Sequence, residues 1–147
     1  METKGKVDME YPTSTTRTIF QPVPADVERM GKLVLNAAYK VHTTLGPGLL
    51  EDVYKTAMKH VLEKSSITVK TDVKLPILFE GAKLDSGLQL DMLVEKCVIV
   101  ELKSVERMSL LYEKQVTTYL RLSHLRLGFL INFNVPYLKD GIKRVVV

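Results

Sequence analysis

The chain is nearly without cysteine: Cys97 stands alone among 147 residues, so there is no disulfide framework and a reducing, cytoplasmic setting is expected. The plain role for that thiol is a small buried hydrophobe rather than a nucleophile or ligand. Long apolar runs are missing too. No run approaches the ~18 residues of a membrane span, and the first residues lack the apolar core of a secretory leader, so no membrane partner is expected. His42, His60 and His124 have no paired spacing and no second cysteine to join them, which argues against zinc. There is no basic run, no aromatic-interleaved basic patch, no helix-turn-helix pattern and no internal repeat. A separate DNA-reading domain is therefore not expected.

What is present suits one globular domain. Hydrophobic residues make up 46% and charged residues 26%, enough for a proper core, and the net charge of +4 permits a polyanionic partner without requiring one. Residues 1–24 are polar, rich in Thr and Ser and broken by Pro12, Pro22 and Pro24, which predicts a loose arm that Ile19-Phe20 could pin. The folded domain is expected over residues 25–147.

Asp26 can cap a helix to about Leu45, with Met30, Leu33, Val34, Ala37, Ala38 and Val41 forming its buried stripe. Gly46-Pro47-Gly48 stops it, and a second helix is expected from about Leu49 to Lys64 with Val53, Ala57, Val61 and Leu62 inward, and Tyr54 and Met58 beside them. Two strands are expected at Ile67–Thr71 and Lys74–Phe79, the latter at a sheet edge because Pro76 lacks an N–H. Glu80-Gly81-Ala82-Lys83 and Asp85-Ser86-Gly87 read as turns. A third helix spans about Ser109 to Leu125, with Leu110, Val116, Leu120 and Leu122 as core candidates. The apolar run Leu127–Phe133 suits a strand covered on both faces, and Ile142–Val147 closes the chain as a last strand. The pattern predicts an α/β domain with a central mixed sheet flanked by helices.

The stretch from Leu90 to Lys103 organises the rest. It reads as two apolar strands joined by a short polar turn, with Glu101 and Lys103 on one face because strand residues two apart point the same way. A solvated strand face would explain an E-x-K triplet by itself. The alternative is a site, because a carboxylate and an ammonium in an apolar strand are costly unless paired, hydrated or metal-bound. Asp91 joins them only if it lies opposite Glu101. A two-residue turn would oppose Asp91 to Val100, so the hairpin needs a three-residue turn or a bulge.

Three further groups have two readings each. Glu51 sits where a helix dipole favours a carboxylate, yet with Tyr54 it forms an i, i+3 pair that can also face a site beside the sheet. His42 can cap the first helix or reach the acids. Gln115 and Tyr119, four apart on one helix face, serve as surface decoration or as part of the site.

Gly48-Leu49-Leu50-Glu51-Asp52-Val53-Tyr54 carries a G-x-x-E-x-x-Y signature, and in this the chain resembles the GxxExxY protein family of the PD-(D/E)XK nuclease-like superfamily. The likeness runs from about Met30 to Val146. It includes Val41-His42, Asp91 with Leu93-Val94-Glu95, the Val98–Lys103 run, Gln115-x-x-x-Tyr119-Leu120, Gly128–Phe133 and Gly141–Val145. The resemblance implies a restriction-endonuclease-like core in which Asp91, Glu101 and Lys103 are the D, E and K. Glu51 is then the added helical acid, and Gln115 with Tyr119 match the Q-x-x-x-Y helix of the RecB and lambda-exonuclease branch. Two positions depart from the pattern: Tyr112 stands where a His often lies, and Gln89-Leu90 where an Arg often precedes the Asp. They bear on how a substrate phosphate is held and leave the acids in place.

Hard carboxylate oxygens suit Mg²⁺ or Mn²⁺, which would relieve the repulsion among gathered acids. Asp91, Glu101 and the Leu102 backbone carbonyl are the expected ligands, with Glu51 direct or through water. Lys103 would orient the attacking water and offset transition-state charge. Gln115, Tyr119, Tyr54 and His42 would contact substrate or support the ligands. The expected activity is phosphodiester hydrolysis in DNA ahead of RNA, with a homodimer wherever two strands must be cut. The competing expectation is an inactive nuclease-fold module that binds nucleic acid or a protein.

Overall fold

The computed structural model describes residues 21–147. The expected arm and its Ile19-Phe20 pin therefore lie almost wholly outside the described residues. Two helices come first, α1 (Ala25–Leu45) and α2 (Glu51–Lys64). Three strands follow, β1 (Val69–Phe79), β2 (Ala82–Val94) and β3 (Val98–Lys103), then α3 (Leu110–Ser123), β4 (Leu127–Asn132), a 3₁₀ turn (Leu138–Gly141) and β5 (Ile142–Val146). The five strands lie in the order β1-β2-β3-β4-β5, parallel only between β3 and β4, so the sheet is mixed as expected. The parallel pair needs a crossover, and α3 supplies it.

Each sheet face has its own core. On one, Val34, Ala38 and Val41 of α1 and Tyr54, Met58 and Leu62 of α2 cover Met92, Val94, Val98, Val100, Leu102, Phe129 and Ile131. On the other, Val116 and Leu120 of α3 cover Leu88, Leu90, Ile99, Leu130 and Val145. Every residue of β4 is buried, as a strand covered on both sides must be.

Several local expectations are corrected. Asp26 caps nothing: Pro24 takes the cap position, its carbonyl accepting from the Glu28 N–H at 3.0 Å, and Asp26 falls in the first turn, where the dipole favours it. Leu49 and Leu50 lie outside α2. Val53 is exposed because the buried stripe runs Tyr54-Met58-Leu62, one step round the helix. Leu33 is on the edge of exposure, and Leu122 is exposed. Leu110 opens α3, capped by Ser109, whose Oγ accepts from the Leu111 N–H at 3.1 Å, and is 79% exposed.

The two strands expected before Glu80 form one, an edge strand with an irregularity between Leu75 and Ile77 around Pro76. Asp85-Ser86-Gly87 does not turn the chain, since Glu80 and Gly81, both at positive φ, already close the hairpin. Gly87 answers the irregularity instead: a Cβ there would lie 2.3 Å from the Leu75 carbonyl oxygen.

Candidate active site

β2 and β3 are joined by three residues, Glu95, Lys96 and Cys97, with Met92 paired to Val100, Leu93 to Ile99 and Val94 to Val98. Glu95 and Lys96 take positive φ, the Cys97 N–H donates to the Val94 carbonyl at 3.0 Å, and the Glu95 carboxylate accepts from the Thr68 N–H at 2.7 Å. This register sets Asp91 opposite Glu101.

The ladder stops one step short of them. Side chains then take over the backbone's work: the Asp91 N–H donates to Glu101 Oε1 at 3.1 Å, and the Leu102 N–H donates to Asp91 Oδ2 at 3.0 Å. β1 releases Asp91 as well. Thr71–Met92 and Val73–Leu90 are paired, but Asp72 between them has φ 52° and makes no ladder pair with Asp91. β2 also changes sides here, since Leu88 and Leu90 pack towards α3 while Met92 and Val94 pack towards α1 and α2. The two carboxylates occupy a place where β2 has parted from both neighbours.

Glu101 is buried, and burial followed by the Asp91 charge pushes its pKa up to about 8, against the pull of the Asp91 backbone N–H and of Lys103. At neutral pH Glu101 therefore keeps its proton. Glu51 opens α2, and its pKa is raised by burial and then by Asp91, with Lys103 and Lys55 opposing. It feels the pair across a gap: among the described residues no three His, Cys, Asp or Glu side chains gather closely enough to hold a metal.

Lys103 Nζ sits 4.4 Å from the centre of the Tyr112 ring, and none of the ion pairs among the described residues includes it. From α3, Gln115 Nε2 donates to Tyr119 Oη at 2.9 Å, and burial followed by the Glu101 charge raises the Tyr119 pKa. Asp91, Glu101, Lys103, Gln115 and Tyr119 thus meet at the end of the hairpin, with Glu51 facing them.

Tyr54 and His42 are occupied elsewhere. Tyr54 is buried, stacks on Phe133 at 4.5 Å, donates its hydroxyl to the Gly46 carbonyl at 2.6 Å and accepts from the Leu49 N–H at 3.1 Å. It pins the loop of Gly46 and Gly48, whose φ of 71° and 96° favour glycine, and so fixes where Glu51 begins its helix. His42 neither caps α1 nor reaches the acids; its Nε2 donates to the Val135 carbonyl at 2.8 Å.

The sequence reading gave no role in this region to four residues. Lys55 lies 2.8 Å from Asp72 and 3.4 Å from Asp52, tying α2 to β1 beside Asp91. Its i+4 spacing from Glu51 was the available signal, whereas Asp72 gave none. Tyr112 was legible only as a departure from a motif. Buried Asn132 bonds the Val105 N–H and carbonyl at 3.1 and 2.9 Å, holding the chain just after Lys103.

A mixed sheet opening around paired carboxylates, with a lysine on the same strand as one of them, is a nuclease-like arrangement. The chain matches the PD-(D/E)XK nuclease superfamily over residues 28–145 and belongs to it. No curated protein and no solved structure matches.

Proposed function

We propose that this protein hydrolyses phosphodiester bonds in DNA, with RNA the second choice, using Mg²⁺ or Mn²⁺. The observation that carries this reading is the Asp91–Glu101 pair, held in a strand opening with a proton on Glu101 that a divalent cation would replace. The donors fit such an ion. Asp91 and Glu101 would hold it, together with the Leu102 carbonyl, which leaves β3 on the same edge as the N–H bonded to Asp91. Glu51, set apart from the pair, would act through water. When bound, the ion supplies Lewis-acid polarisation of the phosphate and a more acidic water.

Lys103, outside every ion pair among the described residues and steadied by Tyr112, orients the attacking water and offsets charge developing on the phosphate. Tyr119, steered by Gln115, holds the nucleic-acid backbone against the acids. Cutting both strands of a duplex would take a second copy of the chain. The single thiol fits cytoplasmic work.

The test is cleavage of labelled single-stranded and duplex DNA with Mn²⁺, comparing wild type with Lys103→Ala. A fall of at least ~100-fold is expected, the scale for losing one preorganised charge. Equal cleavage would remove Lys103 from the mechanism, and no cleavage by wild type would favour the non-catalytic binding module.

A further inference from the structure

The Gly46-Pro47-Gly48 loop has two sides. One leads into α2 and Glu51, and its Leu49 carbonyl accepts from Ser104 Oγ, next to Lys103. The other, with the last turns of α1 and the segment after β4, encloses a cavity of about 580 Å³ that includes Tyr39, His42, Pro47, Tyr137 and Lys139. That volume is in the range of small-ligand sites. Its lining contains no carboxylate, while Lys139 brings a cation.

Two tyrosines in one cavity keep much of their surface in water, Tyr39 at 43% and Tyr137 at 69%. His42 is buried, and since its Nε2 donates to the Val135 carbonyl, Nδ1 of the neutral ring is left as an acceptor. Aromatic faces, an acceptor and an ammonium in a lining without carboxylates are the chemistry of an unpaired nucleotide: ring faces stack on the base and the cation meets its phosphate. Only four residues separate Gly46 from Glu51, so the cavity lies within ~18 Å of chain from Glu51.

We propose that this cavity receives an unpaired nucleotide of the same strand whose backbone lies at Lys103, so that the substrate is single-stranded or frayed DNA. The inference rests on the nuclease reading and narrows its substrate class. A base held in a duplex is already stacked and paired, and reaches a tyrosine only by leaving the helix.

The experiment is fluorescence anisotropy of labelled oligothymidylate and of a blunt duplex, without divalent ions, on wild type, Tyr137→Ala and Tyr39→Ala, with Mn²⁺ cleavage run in parallel. Wild type should bind the single strand at least tenfold tighter than the duplex. Each alanine should cost about five- to tenfold on the single strand and leave the duplex unchanged. Tyr137→Phe should bind as wild type does. Neither tyrosine is part of the buried core, so folding is not at stake. Unaltered single-strand affinity in both alanine variants, or an equal loss on duplex, overturns the assignment. Tyrosine-dependent binding without any cleavage would overturn the nuclease reading and leave the cavity assigned. Cleavage with tyrosine-independent binding would do the reverse.

Discussion

The two ends of the β2–β3 hairpin are made from the same strands and do opposite things. Near the turn, Met92, Val94, Val98 and Val100 are fully buried, and the backbones pair in regular register. At the far end the ladder stops and Asp91 and Glu101 bond each other's strand through their side chains. Backbone pairing satisfies polar groups at no electrostatic cost, whereas carboxylates at the open end must face each other in a buried place. The closed end stabilises the fold, and the open end holds two facing carboxyls, of which Glu101 keeps a proton at neutral pH.

The largest effect that would sharpen this contrast is on stability. Met92→Ala at the closed end should lower unfolding free energy by roughly 2–5 kcal/mol, the range for removing a buried methionine side chain. Lys103→Ala at the open end should stay within ~0.5 kcal/mol of wild type. Denaturant midpoints measure both. A comparable loss at Lys103 would mean that the open end also serves the fold.

Glu101→Gln tests the strain itself. With a folded pKa of about 8 against an ordinary value of 4.5, Glu101 keeps a proton that the unfolded chain has released. Between those pH values the folded state binds more protons, so stability falls as pH rises through that window and levels off above it. Glutamine keeps the acceptor for the Asp91 N–H and has nothing to ionise. The variant should match wild type near pH 4 and exceed it near pH 8 by a few kcal/mol (order of magnitude). Mn²⁺ should close that gap by stabilising wild type alone. Parallel pH profiles for the two proteins would show that Glu101 is not strained.

The elements at the closed end were the legible ones. Helical stripes gave α1 and α2, and the apolar run at β4 was read as doubly covered. The turn length followed from a chemical demand, that Asp91 face Glu101. What stayed hidden depends on backbone conformation. A positive φ at Asp72, which is neither glycine nor flanked by it, leaves no composition signal, and it is this residue that fails to pair with Asp91. Tyr54 was grouped with Glu51 because a helix puts i and i+3 on one side. The face turns from solvent to core within those three residues, so one projects towards the acids and the other locks the loop behind it. Leu110 misled because an apolar residue at a helix start carries no mark of whether that first turn is covered.

Lys55 gives the smallest effect and the sharpest sign. Its ammonium ties α2 to β1 through Asp72, and the Asp72 hydrogen bond is the main cause of its raised pKa. Acting as charge alone, it repels a cation near Asp91, and Lys55→Met should tighten Mn²⁺ binding. Acting as a strut, it keeps the start of α2, and so Glu51, turned to the strand opening; its loss should then weaken Mn²⁺ binding. The strut is the expected case, because Lys55 is engaged by two carboxylates on two elements and has little freedom to act at a distance. Calorimetric Mn²⁺ titration should show affinity about three- to tenfold weaker in Lys55→Met, roughly 0.6–1.4 kcal/mol, and mostly restored in Lys55→Arg, which can still reach Asp72. Tighter binding in the methionine variant would mean that Glu51 is held by the Tyr54-pinned loop alone, and that the open end is braced from one side only.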